Sequence, residues 1–180
     1  MPEKKKSVIL ICGSSGSGKT SMVEKICVHA ANQGMLVGGI SAPGTFKDGY
    51  RFSLDVVDLA TGERSFLAQR YFPSDITFGP FGFSAEGLVF GKNAILKAIK
   101  DQIDVLVIDE IGPFELMNCG WASPLKQAAL SAIDVLVITI RPEVVKDICS
   151  NFFSSREMIL IPVKEEARIL DCLFRVSLKK

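Results

Sequence analysis

The residues with the most chemistry in them stand close together near the start, in the run Gly13-Ser14-Ser15-Gly16-Ser17-Gly18-Lys19-Thr20. Glycines at these spacings let the backbone wrap closely around an anion with its N–H groups turned inward, and a helix beginning at the lysine adds the positive end of its dipole. The pattern is that of a P-loop, in which Lys19 reaches the β- and γ-phosphates of a nucleotide and Thr20 offers its hydroxyl to Mg2+. The nucleotide-binding set expected from it is Gly13, Ser14, Ser15, Gly16, Ser17, Gly18, Lys19, Thr20 and the following Ser21.

Such a loop works only between a strand and a helix, and the flanks meet that requirement. Val8-Ile9-Leu10-Ile11-Cys12 is a short apolar, β-branched run of the kind that forms a buried strand. After the loop, Val23, Ile26, Cys27, Ala30 and Ala31 recur at helical spacing, and Gly34 closes the segment as a cap. A Gly/Ser-rich surface turn would not have these neighbours.

A second acidic element lies far downstream. Val105-Leu106-Val107-Ile108 runs into Asp109-Glu110, a buried strand ending in two carboxylates, the Walker B arrangement. Asp109 is expected to hold Mg2+ indirectly, through a water or through Thr20. Glu110 is expected to polarise an attacking water, the role that separates a hydrolase from a phosphate-holding switch. The hexapeptide Ile-Asp-Val-Leu-Val-Ile occurs at 103–108 and again at 133–138, so two neighbouring parallel strands are expected, with different exits. The second exit is Thr139-Ile140-Arg141, at the carboxyl edge where ligands of open α/β sheets sit. Arg141 there is a candidate for neutralising γ-phosphate charge, with Thr139 as a polar sensor of the same group.

Composition narrows the alternatives. The 180 residues are 48% hydrophobic and 23% charged, enough for one well-buried core, and a single domain over 1–180 is expected. A formal net charge of +1 offers no global field for nucleic acid or an anionic membrane. Cys12, Cys27, Cys119, Cys149 and Cys172 contain no Cys-x-x-Cys pair and read as reduced thiols of a cytoplasmic protein. With His29 the only histidine, neither a zinc site nor a Ser-His-Asp triad can be built. The apolar run after Lys4-Lys5-Lys6 is too short for a signal peptide or a membrane span.

Between the two acidic and basic elements the pattern alternates. Strands are expected at Met35 to Ile40 and Met158 to Val163, and a hairpin beside the main sheet at Tyr50 to Leu59 and Arg64 to Ala68 around Thr61-Gly62. Residues 71–83 mix prolines and glycines with Tyr71, Phe72, Phe78, Phe81 and Phe83, which suggests an ordered covering loop. Ser84 can cap a helix to about Lys100, with Leu88, Ile95, Ala98 and Ile99 inward and Gly87 and Gly91 weakening its first turns. Pro142 opens another helix with Val144, Val145, Ile148, Cys149 and Phe152 buried, and a last helix runs from about Lys164 to the Lys179-Lys180 tail. The sum is an α/β sandwich of three layers with a mostly parallel sheet. In it, the strand at 134–140 is expected to separate the P-loop strand from the one carrying Asp109.

Asp109-Glu110-Ile111-Gly112-Pro113-Phe114-Glu115-Leu116 resembles the Asp-Glu-Ile-Gly-x-Met/Phe-Glu-Leu block of the thermophile-type or cancer-related nucleoside-triphosphatases, a family of small P-loop proteins. Asp58-Leu59-Ala60-Thr61-Gly62-Glu63 is similar to that family's hairpin turn, and Lys164-Glu165-Glu166-Ala167-Arg168 to its Thr-x-Glu-Asn-Arg segment. Two departures are visible: the family's Gly-x-Arg-x-Gly-Phe stretch is only loosely matched by Gly49-Tyr50-Arg51-Phe52, and Ala167 replaces the asparagine before Arg168. The resemblance implies a Mg2+-dependent hydrolysis of nucleoside triphosphates, slow and tolerant of the base. The sequence agrees on breadth, having no Asn-Lys-x-Asp element to read guanine. Glu115 suits a helix N-terminus and Trp121 suits packing. Two other readings share the P-loop: a nucleotide or small-molecule kinase, and a nucleotide-binding adapter resembling the molybdopterin-guanine-dinucleotide accessory proteins. The absence of arginine from 71–100 speaks against a kinase lid, and Glu110 beside Asp109 speaks for turnover. The expected partner is a nucleoside triphosphate; a nucleic-acid or protein activator is left open though not evident, and no membrane partner is expected.

Overall fold

The computed structural model describes residues 6–177; Lys4, Lys5 and the expected Lys179-Lys180 tail lie outside that range. The elements follow in the order β1 (Ser7–Cys12), α1 (Lys19–Asn32), β2 (Val37–Ser41), β3 (Gly44–Lys47), β4 (Tyr50–Asp58), β5 (Arg64–Arg70), β6 (Thr77–Phe78), β7 (Phe81–Phe83) and α2 (Ala85–Lys100). They continue with β8 (Val105–Ile111), α3 (Pro113–Leu116), α4 (Ala122–Leu130), β9 (Val135–Ile140), α5 (Val145–Phe152), β10 (Glu157–Pro162) and α6 (Glu166–Ser177). A 3-10 turn, Pro142–Val144, leads into α5, so the expected helix start at Pro142 is a tighter turn first.

The continuous Val/Ile/Leu runs become strands covered on both faces, and alternate residues point to opposite layers. From β1, Val8 and Leu10 join one core and Ile9 and Ile11 the other. The first core is closed by α2, α4 and α5 through Ile95, Leu125, Ala128, Ile148 and Phe152. The second is closed by α1 and α6 through Met22, Val23, Ile26, Ile169 and Leu173. Full burial of one such aliphatic side chain stabilises by about 1.5–3 kcal/mol, so these strands anchor the fold and their ends are free to carry function.

The sheet runs β10-β1-β9-β8-β2-β4-β5-β7-β6, with β3 paired to β4. From β10 to β2 every pairing is parallel. As expected, β9 lies between the P-loop strand β1 and the acidic strand β8. The expected hairpin lies beside the parallel strands and is continuous with them, because Ile40 and Ser41 of β2 pair antiparallel with Asp58 and Val57 of β4. Residues 71–83 are likewise more regular than a loop, with Thr77 and Phe78 paired to Gly82 and Phe81.

The structure adds to the reading of α2. Ser84 caps it as expected, accepting a hydrogen bond from the Gly87 N–H at 3.1 Å. Gly87 and Gly91, however, are contact points: a Cβ on Gly91 would stand 2.5 Å from the indole of Trp121. The missing side chains let the helix pack directly onto a buried tryptophan and onto β5.

Candidate active site

The P-loop joins β1 to α1, and its turns require glycine: Gly16 has φ 74° and Gly18 φ 90°, where any other L-residue is strained. Gly13 serves close packing, since a Cβ there would lie 2.3 Å from the Ser17 hydroxyl. Lys19 is buried, and its ammonium donates to the carbonyls of Gly13 at 2.9 Å and Ser14 at 2.8 Å. Burial lowers its pKa, while Glu110 and then Asp109 pull it back up.

Thr20, one residue on, reaches across the sheet edge. Its hydroxyl donates to Asp109 Oδ2 at 2.9 Å, linking positions 89 residues apart in the chain. The Asp109 carboxylate also receives the Ala42 N–H on Oδ2 at 3.0 Å, the Thr139 hydroxyl on Oδ1 at 2.5 Å and the Glu110 N–H on Oδ1 at 3.0 Å. Burial raises its pKa, Glu110 adds to that, and the bonds from Thr139, Ala42 and Thr20 oppose it. Four donors and no acceptor form a setting built for a carboxylate.

Glu110 owes its orientation to a defect in the strand. The register between β8 and β9 shifts between Ile108 and Ile111, and Glu110 sits at φ 63°, in the left-handed region. Bulges of this kind re-aim a side chain at a sheet edge, and non-glycine residues in that region persist only where surroundings hold them. Here the holder is Thr139, whose hydroxyl accepts the Glu110 N–H at 2.8 Å. Thr139 is fully buried and engaged with the acidic pair, so the structure gives it a different task from the phosphate sensing expected of it. The Glu110 carboxylate itself pairs with Arg51 of β4 at 2.6 Å.

Two cavities meet at Glu110. A cleft of about 240 Å³ holds Gly16, Gly18, Lys19, Thr20, Ser21 and Glu110. A larger cavity of about 540 Å³ takes in Ser15, Gly16, Glu110 and Arg141 together with aromatic residues of the antiparallel strands. The structure therefore brings Lys19, Thr20, Ser21, Asp109 and Glu110 together, and puts Arg141 on the far side of Glu110, beside Gly112. Arg51 and Arg70 complete the surroundings. Only the loose Gly49-Tyr50-Arg51-Phe52 match pointed to Arg51 in the sequence, and nothing pointed to Arg70.

The loop after β8 is stiffened by another carboxylate. Glu115 accepts the Gly112 N–H at 2.8 Å and the Trp121 N–H at 3.1 Å. It thus serves the start of a helix, as expected, though as a buried cap for the short α3. Burial pushes its pKa up to about 7, with the Gly112 and Trp121 N–H groups opposing.

The chain is similar to known proteins. The profile of a family described as NTPase matches residues 8–172. The chain belongs to that family. Among its relatives, the nucleoside-triphosphatase THEP1 of Methanopyrus kandleri is 32% identical over 121 residues, covering 67% of this chain and 66% of that protein. The nucleoside-triphosphatase THEP1 of Methanothermobacter thermautotrophicus is 31% identical over 142 residues, covering 72% and 73%. The solution structure of a human cancer-related nucleoside triphosphatase superposes with a TM-score of 0.71 at 20% identity, covering 97% of this chain and 99% of the other, a likeness of fold. Family membership makes the chain an enzyme of nucleoside-triphosphate hydrolysis. Among the described residues, no helix is long and apolar enough to cross a membrane.

Proposed function

We propose that the chain is a Mg2+-dependent, cytoplasmic, single-domain nucleoside-triphosphatase of broad base tolerance, cleaving triphosphate to diphosphate and phosphate in the cleft between Lys19 and Glu110. The observation that carries this is the Thr20–Asp109 hydrogen bond, which joins the P-loop to the acidic strand end beside a glutamate turned into the same cleft. Backbone N–H groups of the loop up to Lys19 bind the phosphate tail, except that of Gly13, which is given to the Ile140 carbonyl at 3.1 Å; Ser21 extends that contact, and Lys19 leaves its carbonyl partners to meet the β- and γ-phosphates.

The donors suit a hard cation. Thr20 and Asp109 offer oxygen only, and the described residues contain no cluster of three His, Cys, Asp or Glu side chains that would hold a metal without substrate. Thr20 would hold Mg2+ directly, and Asp109, with its acceptor positions already filled, through Thr20 or a water. When bound, the ion neutralises charge on the β- and γ-phosphates. Glu110 orients the attacking water and takes its proton, while Arg51 restrains the carboxylate and Arg141 meets negative charge on the transferring group. Breadth of base follows from the lack of any guanine-reading element.

Phosphate release and nucleotide affinity, measured together, test the assignment. Lys19→Ala is expected to abolish binding or turnover. Glu110→Gln is expected to keep its ATP affinity while turnover falls about a hundredfold or more. Unchanged turnover in either variant removes the assigned role.

A further inference from the structure

Hydrolysis needs room for one water beside Glu110, whose share of liquid volume is about 30 Å³. The space on that side of Glu110 measures about 540 Å³, within the range of roughly 300–1,000 Å³ typical of small-molecule sites. It opens directly onto the phosphate cleft, because Gly16, Phe46, Arg51 and Glu110 line both. A ligand there would stand where the attacking group must approach.

The walls state what that ligand looks like. One side is aromatic: Phe83 stacks on Phe114 with centroids 4.8 Å apart, and Phe78 lies 5.4 Å from the same ring. The other side is cationic. Arg70 is held between the rings of Tyr50 and Phe81, 5.5 Å from each centroid, with its Nε fixed on the Arg51 carbonyl at 2.8 Å. That leaves the outer guanidinium nitrogens of Arg70, and the guanidinium of Arg141, facing the cavity lining without a carboxylate partner among the described residues. Glu115, the other acid of the lining, is tied to backbone N–H groups. Rings that stack and guanidiniums that bind anions select a planar molecule bearing a negative group. The ground for discounting transfer chemistry, the lack of arginine in 71–100, also fails: the arginines arrive from β4, β5 and the end of β9.

We propose that this cavity is a second substrate site, for a planar aromatic molecule carrying an anionic group and a hydroxyl, and that the hydroxyl accepts the γ-phosphoryl group in place of water. The proposal rests on the small cleft being the triphosphate site. In the step, the acceptor oxygen forms a bond to the γ-phosphorus, and the bond from that phosphorus to the β–γ bridging oxygen breaks. The diphosphate leaves with the electron pair, and the hydroxyl proton passes to Glu110. Water remains the acceptor when the cavity holds none.

Calorimetry on the full chain saturated with Mg2+ and a non-hydrolysable ATP analogue, with nucleoside 3′-monophosphates in one arm and hydroxybenzoates in the other, distinguishes a phosphate from a carboxylate anion. Mass spectrometry after incubation with ATP then reads phosphorylated probe. One arm is expected to bind and to be phosphorylated, with affinity about tenfold weaker in Arg70→Ala and in Phe81→Leu, both checked for folding by thermal melting. No binding in either arm while the analogue binds, affinity unchanged in both variants, or a bound probe that yields only free phosphate overturns the proposal. Failure of the analogue itself to bind refutes the nucleotide site instead.

Discussion

The two copies of Ile-Asp-Val-Leu-Val-Ile lie side by side and in step: Val105 pairs with Val135, Leu106 with Leu136, Val107 with Val137 and Ile108 with Ile138. All eight of these side chains are fully buried. Up to that point the strands are interchangeable scaffold. They part at the next residue, where β9 runs straight through Thr139 while β8 bulges through Asp109 and Glu110. The same apolar hexapeptide thus ends in a clamp in one strand and in a strained acidic pair in the other, and the clamp holds the pair. Chemistry at this edge depends on two or three residues whose conformation is set by the neighbouring strand.

The sharpest way to break that pairing is Thr139→Val, which keeps the shape and removes the hydroxyl that bonds both Asp109 Oδ1 and the Glu110 N–H. With Asp109 in the metal-holding role proposed for it, losing an outer partner of its carboxylate is expected to lower turnover about 10- to 100-fold. Unfolding stability is expected to fall by about 1–3 kcal/mol, from buried polar groups left short of a partner. Thr139→Ser restores the hydroxyl and is expected to recover most of the turnover, which a packing defect alone would not allow. Equal kinetics in all three proteins would show that the bulge holds itself.

The β8 exit carries a further buried acid, Glu115, and the β9 exit has no counterpart before α5. With its pKa raised from 4.5 to about 7, Glu115 takes a proton in the folded chain at pH values where the unfolded chain has released it. The stability this contributes is fully present below about pH 4.5, is lost as pH rises to about 7, and is absent above. The span corresponds to roughly 3 kcal/mol. Denaturant unfolding at pH 5 and pH 8 is expected to show that loss in the wild type and a flatter profile in Glu115→Gln. A matching slope in both would assign the effect to other groups.

Much of this was legible from local signals, and the rest was not for one recurring reason. The P-loop, the buried strands, the Ser84 cap and the order β1-β9-β8 follow from glycine spacing, apolar runs and crossover rules that act over a few residues or one βαβ unit. The bulge at Glu110 was hidden because it depends on Thr139, 29 residues away, rather than on the apolar run before it. Arg70 was hidden, and Arg51 marked only by a loose match, because only the antiparallel register of β3 to β7 brings the two to the cavity beside Glu110. Arg156 is a third case. Its buried guanidinium donates to the carbonyls of Ala128, Ala129 and Ile133 at 2.8–3.0 Å, closing the end of α4 from another element altogether. Long-range polar partners leave no periodicity to read.

The smallest effect tests the symmetry itself. Ile103 and Ile133 open the two hexapeptides, both buried in the same core and far along the strands from the acidic pair. Trimming one methylene from each, as Ile103→Val and Ile133→Val, is expected to cost about 0.5–1.5 kcal/mol in either case. If the strands are equivalent scaffold, the two losses agree within measurement error in chemical unfolding, and turnover stays within about twofold of wild type in both. Unequal losses would mean that the surroundings already distinguish the copies at their start: Ile103 packs against β2, where its Cδ1 would lie 2.9 Å from a Cβ on Gly38, while Ile133 hands its carbonyl to Arg156. A turnover defect in only the Ile103 variant would show that strain at Glu110 is transmitted along β8 rather than held locally by Thr139.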